Sequence, residues 1–257
     1  MVFDSGIGGT TVLEHIQRRI PNAQYSYFMD NALLPYGAQS QQTIINRLCA
    51  LIHFIEHESL NVDLIVIACN TASTSALSAV RKITNIPIVG VVPAIKPAAQ
   101  LTKSKCIGLL ATPATVSSEY TNTLIEEYAP SINVTSYSSV ELVALAEQFF
   151  YQQTLDINKL HQELMRLNIN NNTDVLVLGC THFPILAEPI NSYFNSKICL
   201  LDSGAAIANR VCYLLEQNNL LANNVSGIKK PLQYYATADI LSDKLAVTLA
   251  TLVNPKH

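Results

Sequence analysis

Several features that point to other classes of protein are missing from this 257-residue sequence. Only 14% of the residues are charged and the net charge is −3. With no blocks of one sign, the sequence predicts no surface for nucleic acid or for an anionic membrane. No apolar run approaches the roughly eighteen residues of a membrane-spanning helix. The first residues show no basic segment followed by an apolar one, so we expect no signal peptide.

Motifs for disulfides and for nucleotides are also missing. The six cysteines contain no C-x-x-C pair and are widely spaced. In a chain that is 49% hydrophobic, this spacing favours reduced thiols in a cytoplasm over a disulfide framework. The stretch Asp4-Ser-Gly-Ile-Gly-Gly9 does not fit G-x-G-x-x-G and no G-K-[ST] follows, so a nucleotide loop is not expected. It still predicts a turn from a strand into a helix, and such a turn suits a phosphate or a carboxylate.

What the sequence does contain is a strand pattern that ends in a cysteine. Residues 62–68 are almost continuously apolar and rich in β-branched side chains, which is typical of a strand buried on both faces of a parallel sheet. The run stops at Cys69, and Asn70, Thr71 and Ser73 then favour a helix start. A lone cysteine in such a place is more often a small buried core residue.

The pattern occurs a second time, as Asp174-Val-Leu-Val-Leu-Gly-Cys180-Thr-His182-Phe-Pro184. In both copies an Asp stands six positions before the cysteine, an apolar strand lies between them, and polar residues follow. Ligands of open α/β sheets bind at this end of the strands. The repetition favours a functional role for both thiols.

The order of predicted elements indicates the fold class. Strands alternate with helices throughout, which predicts an α/β fold with two similar parallel-sheet α/β domains that face each other across an active-site cleft. We place the first domain at residues 1–92 and 206–257, and the second at residues 93–205. The first predicted strand, at residues 2–3, is short enough to suggest a trimmed start. Near the other end we predict a last strand at residues 232–236 and a last helix from Asp239 to about Val253.

Each thiol has a candidate acid–base partner. Asp4 ends the first strand and could orient Cys69 or accept its proton, and His182 could do the same for Cys180. A helix N-terminus after each cysteine favours its thiolate. Taken singly, Asp4 could instead be a helix cap, His182 a hydrogen-bonded loop residue, and Glu147 part of a solvated helix face.

Four chemistries deserve comparison for paired thiols. Redox cycling normally uses a C-x-x-C pair. For zinc bound by Cys69, Cys180 and His182, the Cys-Thr-His spacing is tight and a second local pair is missing. Nucleophilic acyl transfer needs one cysteine. In the fourth, one thiolate removes the α-proton of an amino acid and a second thiol delivers a proton to the opposite face. The duplication fits this last chemistry best.

Six short motifs follow one another along the chain. They are F-D-S-G-I-G-G at 3–9, P-Y-G at 35–37, A-C-N-T-A-S at 68–73, G-V-V-P-A at 90–94, L-G-C-T-H-F-P at 178–184 and D-S-G at 202–204. In this combination and order, as far as about Leu215, the sequence resembles the glutamate racemase family. These are cofactor-independent enzymes that make D-glutamate for bacterial peptidoglycan.

The resemblance implies roles for individual residues. Cys69 would take the proton from D-glutamate and Cys180 from L-glutamate, with no cofactor and no metal. Asp4 and His182 match assisting residues, and Glu147 matches an acidic residue near the second thiol. The positions matched to substrate binding are Asp4, Ser5, Pro35, Tyr36, Gly37, Cys69, Asn70, Thr71, Thr112, Thr115, Cys180, Thr181 and His182. The family usually has glycine where this chain has Ala114, a difference that concerns the backbone around Thr115 and not the chemistry.

Two alternatives remain open at this point. One is an aspartate or other amino-acid racemase of the same superfamily, in which His often follows A-C-N-T-A where this chain has Ser73. The other is a binding protein that holds an acidic ligand without turnover, for which paired thiols have no use. We expect glutamate as the small-molecule partner, and no pyridoxal phosphate because no lysine is placed at a strand end facing the proposed site. The oligomeric state is open, with a homodimer as one option.

Overall fold

The computed structural model describes residues 1–221, 231–240 and 245–253. Its strands are β1 (Val2–Asp4), β2 (Ser26–Met29), β3 (Ile65–Ile67), β4 (Ile88–Gly90), β5 (Cys106–Ala111), β6 (Asn133–Ser138), β7 (Val175–Leu178), β8 (Cys199–Leu201), β9 (Gln233–Ala236) and β10 (Val247–Leu249). Its helices are α1 (Thr10–Arg19), α2 (Gln41–His57), α3 (Asn70–Val80), α4 (Ile95–Leu101), α5 (Pro113–Val116), α6 (Glu119–Tyr128), α7 (Glu141–Gln152), α8 (Ile157–Leu167), α9 (Ala187–Tyr193) and α10 (Gly204–Gln217). Three short 3₁₀ helices lie at Asn31–Leu33, Tyr36–Ala38 and Phe183–Leu186. Within the same residues, no helix combines the length and the apolar character that crossing a membrane requires.

The chain divides into two compact units, Met1–Val91 with Gly204–His257 and Val92–Ser203. The first unit contains a six-stranded sheet in the order β10-β9-β2-β1-β3-β4, and the second a four-stranded sheet in the order β6-β5-β7-β8. All pairs of neighbouring strands are parallel. The expectation of two parallel-sheet α/β domains is confirmed, and the cleft stays a prediction.

The central strands of the first sheet are buried on both faces. Phe3 and Phe28 pack on one face with side chains of α2 and α3. Val2 and Tyr27 pack on the opposite face with side chains of α1 and α10. Two helical layers therefore cover the sheet, which is why its strands have near-continuous apolar sequences.

The second sheet follows the same rule. Leu109 and Val177 pack with side chains of α4 and α6. Leu110 and Leu176 alternate with them along the strands and are also fully buried. Since both faces are covered by protein, the strand ends are the part of this sheet where polar side chains gather.

The end of the chain departs from the sequence prediction. The strand expected at residues 232–236 is present as β9. The helix expected from Asp239 to about Val253 is wrong, because residues 247–249 form β10 and pair in parallel with β9. Residues 241–244 of that expected helix lie outside the described residues. Val247 and Thr248 are β-branched, and pairing with a strand that is distant in sequence overrides the local helical pattern.

Ser73 joins the ends of β3 and β4. Its hydroxyl donates to the carbonyl oxygen of Ile67 at 2.9 Å and accepts from the N–H of Val91 at 3.0 Å. Ser73 lies in the first turn of α3 and is buried. It therefore fixes the start of this helix, directly after Cys69, to the edge of the sheet.

We predict that Ser73→Ala lowers the free energy of unfolding by about 1–3 kcal/mol, because both buried hydrogen bonds of its hydroxyl are lost. The N–H of Val91 keeps a second acceptor, the carbonyl oxygen of Ile67 at 3.0 Å. Urea unfolding followed by circular dichroism measures the change. Ser78→Ala is the matched control in the same helix, since Ser78 is exposed, and its effect should stay within about 0.5 kcal/mol. Equal losses in the two variants would contradict the role given to Ser73.

Candidate active site

In the first unit, polar side chains lie where β1 and β3 end. Asp4 is the last residue of β1, and β1 pairs in parallel with β3, which Cys69 follows after one residue. Cys69 is the N-cap of α3, and its sulfur accepts a hydrogen bond from the N–H of Ala72 at 3.5 Å. The thiol therefore lies at a helix N-terminus, where partial positive charge favours an anion.

The hydroxyl of Ser5 lies between Asp4 and Cys69. It donates to Asp4 Oδ1 at 3.4 Å and is 4.0 Å from Cys69 Sγ. Asp4 Oδ1 also accepts from the N–H of Gly6 at 3.1 Å, whereas the N-cap of α1 is Gly9, so Asp4 closes the glycine-rich turn and does not cap the helix. A Cβ at Gly9 would lie 2.8 Å from that of Asp4, which explains the glycine there.

Asn70 and Thr71 form the first turn of α3, and both are buried. In the part of the chain that the structure describes, Asn70 Oδ1 is one of two buried side-chain atoms without a hydrogen-bond partner. Such an acceptor costs about 1–3 kcal/mol when it stays unpaired. Because it directly follows Cys69, this oxygen is available to a ligand donor such as an ammonium group.

The motif P-Y-G forms a short structured loop in the same unit. Pro35 precedes the 3₁₀ helix that contains Tyr36 and Gly37, and this helix packs against α3. The buried hydroxyl of Tyr36 donates to Asp30 Oδ2 at 2.6 Å. Burial, together with the negative charges of Asp30 and Cys69, raises the pKa of Tyr36 far above its ordinary value. The phenol therefore stays neutral.

Sequence reasoning missed the carboxylate that holds Tyr36. Asp30 is wholly buried and accepts hydrogen bonds from Arg47, which lies on α2, and from Thr237, which follows β9. Neither Arg47 nor Thr237 belongs to a motif. The sequence did contain one indication of its importance. Asp30 directly follows a buried strand, and Asp4 is the last residue of another.

In the second unit, polar side chains lie where the neighbouring strands β5 and β7 end. Thr112 follows β5, and Cys180 follows β7 after Gly179. The hydroxyl of Thr112 donates to Thr115 Oγ1 at 3.1 Å and accepts from the N–H of Thr115 at 3.4 Å. Both threonines are buried, as is Thr181. The sheet thus gathers four residues expected at the site.

The backbone around Thr115 is ordinary. Ala114 lies inside the helical turn α5, and it is not among the non-glycine residues with positive φ in the described chain. An alanine fits this conformation without strain. Ala114 therefore introduces no backbone strain next to Thr115.

Cys180, His182 and Glu147 form a chain of contacts. Cys180 Sγ is 3.8 Å from His182 Nδ1, and His182 Nε2 is 2.7 Å from Glu147 Oε1. Glu147 comes from α7, which packs against the 3₁₀ helix that follows His182. His182 is 2% exposed. Glu147 is therefore not part of a solvated helix face, and His182 is hydrogen-bonded through both ring nitrogens.

The charge of His182 follows from its partners. Burial by itself lowers the pKa of His182, but its hydrogen bonds to Cys180 and Glu147 and their charges outweigh burial and raise the pKa well above its ordinary value. The ring is therefore protonated at neutral pH, so that Nδ1 donates to the sulfur and Nε2 to the carboxylate.

The helix N-terminus expected after the second thiol is wrong. A 3₁₀ helix at Phe183–Leu186 comes first, with Pro184 in its first turn, and α9 begins only at Ala187. At Cys180 the positive charge of His182 stands where the first unit has the N-terminus of α3. Each unit therefore presents one buried thiol with its own polar partners, which suits proton transfer at sulfur.

The metal interpretation gains no support. All six cysteines are free. Among residues 1–221, 231–240 and 245–253, no group of three or more His, Cys, Asp or Glu side chains could hold a metal ion.

Comparison with known proteins gives consistent results. A family model described as Asp/Glu/hydantoin racemase matches residues 9–211. A glutamate racemase of Shewanella frigidimarina is 48% identical over 93% of this chain and 89% of its own length. The glutamate racemase of Escherichia coli, solved with L-glutamate and the activator UDP-MurNAc-ala, is 37% identical with a TM-score of 0.83, over 95% of this chain and 91% of that one. The glutamate racemase of Francisella tularensis, solved with D-glutamate, is 30% identical with a TM-score of 0.77, over 98% and 96% of the two chains.

We predict that Glu147→Gln lowers the pKa of His182, because the imidazolium loses a negatively charged acceptor. A shift of about one unit is expected from one close charge. An NMR titration of ¹⁵N-labelled histidine measures it. Glu141→Gln, an exposed position on the same helix α7, is the matched control and should leave the titration of His182 unchanged.

The same contact makes stability depend on pH with a defined sign. The pKa of His182 is raised in the folded state. The contact therefore contributes its full stabilisation at pH values below about 6.5, the pKa of histidine in the unfolded chain. This contribution is lost as the pH rises through the folded pKa. An unchanged titration in Glu147→Gln would contradict both statements.

Proposed function

The chain belongs to the Asp/Glu/hydantoin racemase family, and we propose that it interconverts L-glutamate and D-glutamate. Relatives that share nearly half of its sequence are glutamate racemases. The observation that carries the proposal is that each α/β unit has a thiol at the carboxyl end of a strand, next to buried acid–base partners. Such a pair suits removal of a proton from one face of a carbon and delivery of a proton to the other.

The proposed reaction begins with D-glutamate and Cys69 as thiolate. The sulfur takes the α-proton and becomes a thiol, and the C–H electron pair stays on the α-carbon as a carbanion. The thiol of Cys180 then gives its proton to the opposite face, which yields L-glutamate and leaves Cys180 as thiolate. The reverse direction starts from L-glutamate with Cys180 as the base. The mechanism requires both thiols to reach the same α-carbon.

At Cys180, the proposed assisting groups are His182 and Glu147. The protonated ring of His182 donates to the sulfur, which suits a thiolate that forms when L-glutamate is the product. Glu147 accepts from the other ring nitrogen and fixes the ring orientation. Glu147 is therefore a positioning residue that acts through His182.

At Cys69, the proposed assisting groups are different. Ala72 N–H donates to the sulfur, and the Ser5 hydroxyl links the sulfur to the carboxylate of Asp4. In this proposal Asp4 orients the hydroxyl, and its negative charge favours the protonated form of Cys69 that results when the sulfur takes the proton.

Glutamate presents two carboxylates and one ammonium group, and the buried polar groups of both units suit them. Hydroxyl and amide donors would bind the carboxylates, and the unpaired Asn70 Oδ1 would accept from the ammonium group. The residues proposed for binding are Asp4, Ser5, Pro35, Tyr36, Gly37, Cys69, Asn70, Thr71, Thr112, Thr115, Cys180, Thr181 and His182.

The main competitor is an aspartate racemase of the same superfamily, which often has His where this chain has Ser73. Here the Ser73 hydroxyl is used by the backbone of β3 and of the residue after β4. It therefore serves the fold, and it supplies no extra acid–base group next to Asn70 and Thr71. This difference favours glutamate.

We further propose that the D-glutamate serves peptidoglycan synthesis. Both thiols have to be reduced to act, which favours a reducing compartment such as the cytoplasm. The homodimer considered from the sequence stays a prediction.

We predict that the purified protein racemises glutamate and that Cys69→Ala and Cys180→Ala each lower kcat by at least about a hundredfold, since each removes one of two proton carriers. Chiral chromatography measures both directions, with aspartate as the competing substrate. Cys199→Ala, at an exposed thiol, is the matched control and should keep its activity.

The outcomes of this assay separate the alternatives. Faster turnover of aspartate than of glutamate would favour the other racemase. Glutamate binding without turnover would favour a binding protein. Normal turnover in either active-site variant would reject the two-thiol mechanism.

We predict that newly formed product carries deuterium at the α-carbon from the first turnovers in deuterated water. The thiol that delivers the proton has already exchanged with solvent, whereas the abstracted proton mostly returns to the carbon that it left. Mass spectrometry of both enantiomers at low conversion measures the label, and unconverted substrate should stay almost unlabelled. Equal early labelling of substrate and product would reject two separate bases.

A further inference from the structure

Asp30 lies beside the candidate site but belongs to none of its motifs. It is the first residue after β2, and its N–H donates to the carbonyl oxygen of Asp4 at 3.0 Å. Its side chain is wholly buried. A buried carboxylate is costly unless its charge is paired and its oxygens accept hydrogen bonds. The hydrogen-bond partners of Asp30 therefore indicate which parts of the chain it positions.

Both carboxylate oxygens of Asp30 are fully used. Arg47 donates from Nε to Oδ2 at 2.7 Å and from Nη2 to Oδ1 at 2.6 Å, which is a bidentate ion pair. Tyr36 donates its hydroxyl to Oδ2 at 2.6 Å, and Thr237 donates its hydroxyl to Oδ1 at 2.7 Å. Four short hydrogen bonds from three parts of the chain therefore fix one carboxylate.

The partners of Asp30 are themselves held in place. Arg47 Nη1 also donates to the carbonyl oxygen of Leu252 at 3.2 Å. Thr237 Oγ1 also accepts from the N–H of Ala32 at 3.1 Å. The cluster thus ties the end of β2 to α2 and to the last described part of the chain, and Tyr36 is its one member from the P-Y-G loop.

Tyr36 connects Asp30 to the side chains that surround Cys69. Its ring lies 6.1 Å from that of Phe3 and belongs to the same buried cluster as Cys69. The 3₁₀ helix that it begins packs against α3, whose N-cap is Cys69. Because the phenol is a neutral donor and Asp30 is its acceptor, rotation of the ring breaks a buried charge-assisted hydrogen bond.

We propose that Asp30, fixed by Arg47 and Thr237, is a positioning residue that holds Tyr36 and the loop 35–37 against Cys69 in the geometry that binds substrate. The part that concerns substrate rests on the proposed function. The part that concerns Cys69 does not, because it follows from the contacts of Asp30 and Tyr36 alone.

The proposal makes substrate binding, more than proton transfer, depend on Asp30. Asp30→Asn removes the charge of the ion pair, and its NH2 replaces one oxygen that accepts two hydrogen bonds. Thr237→Val removes the hydrogen bond to Asp30 and the one from the N–H of Ala32. Both variants change the shape of the side chain little. We expect KM for both enantiomers to rise about tenfold in Asp30→Asn and about threefold in Thr237→Val, with a smaller change in kcat. Thr237→Ser keeps the hydroxyl and should restore the KM of the original protein.

Asp174→Asn is the matched control for a general loss of stability. Asp174 accepts from the Thr102 hydroxyl and from the N–H groups of Lys103 and Ser104, at the start of β7 and away from its carboxyl end. Asp174→Asn should lower Tm and leave KM unchanged. An equal rise of KM in this control would show that loosening of the fold is the cause, and it would overturn the proposal.

Alkylation of Cys69 by iodoacetamide, followed by mass spectrometry, tests the proposal without glutamate. If Asp30 holds Tyr36 against Cys69, the alkylation rate of Cys69 should rise at least about threefold in Asp30→Asn and rise measurably in Thr237→Val. Cys180 in the same sample is the internal reference. A rate at the level of the original protein in both variants overturns the proposal whatever KM does.

The two readouts separate the two claims. Faster alkylation with an unchanged KM overturns the link to substrate binding. If the original protein does not racemise glutamate, the proposed function fails, and alkylation still decides the role of Asp30. Should Asp30→Asn not fold, Thr237→Val with Thr237→Ser gives the answer.

Discussion

Parallel strands end at the same edge of their sheet, and the side chains of the candidate site depend on that alignment. In the first unit, the neighbouring strands β2, β1 and β3 bring Asp30, Asp4 and Cys69 to one edge. In the second unit, β5 and β7 do the same for Thr112 and Cys180. Hydrogen bonds between the strands hold these positions. The side chains that follow the strand ends lie beyond the sheet, where a ligand can contact them.

The two units support their thiols by different physical means. Cys69 is a helix N-cap, with a backbone N–H and a hydroxyl as its neighbours. Cys180 has no α-helix starting directly after it, and the protonated ring of His182, held by Glu147, supplies the positive charge. Similar strand ends therefore lead to two different electrostatic environments, which fits a mechanism in which the two bases act on opposite enantiomers.

Asp174, which precedes the second cysteine in the sequence pattern, has a structural role. Burial by itself raises the pKa of Asp174, but hydrogen bonds from Thr102, Ser104 and Lys103 outweigh it and lower the pKa to about 2. This carboxylate fixes the start of β7, whereas Cys180 follows its end. One strand thus has a residue that stabilises the fold at its beginning and the thiol proposed to transfer protons after its end.

The sequence by itself determined the two strand–thiol patterns, because burial on two faces and helix capping are local signals. It also indicated two α/β halves and most of their strands. Only the tertiary structure decided which distant side chains meet. Thr237 reaches Asp30 across 207 positions, and Glu147 reaches His182 from another helix. It also made residues 247–249 a strand, because the pairing with β9 and not the local pattern set their conformation. Contacts of this kind depend on how elements pack, which neither periodicity nor spacing records.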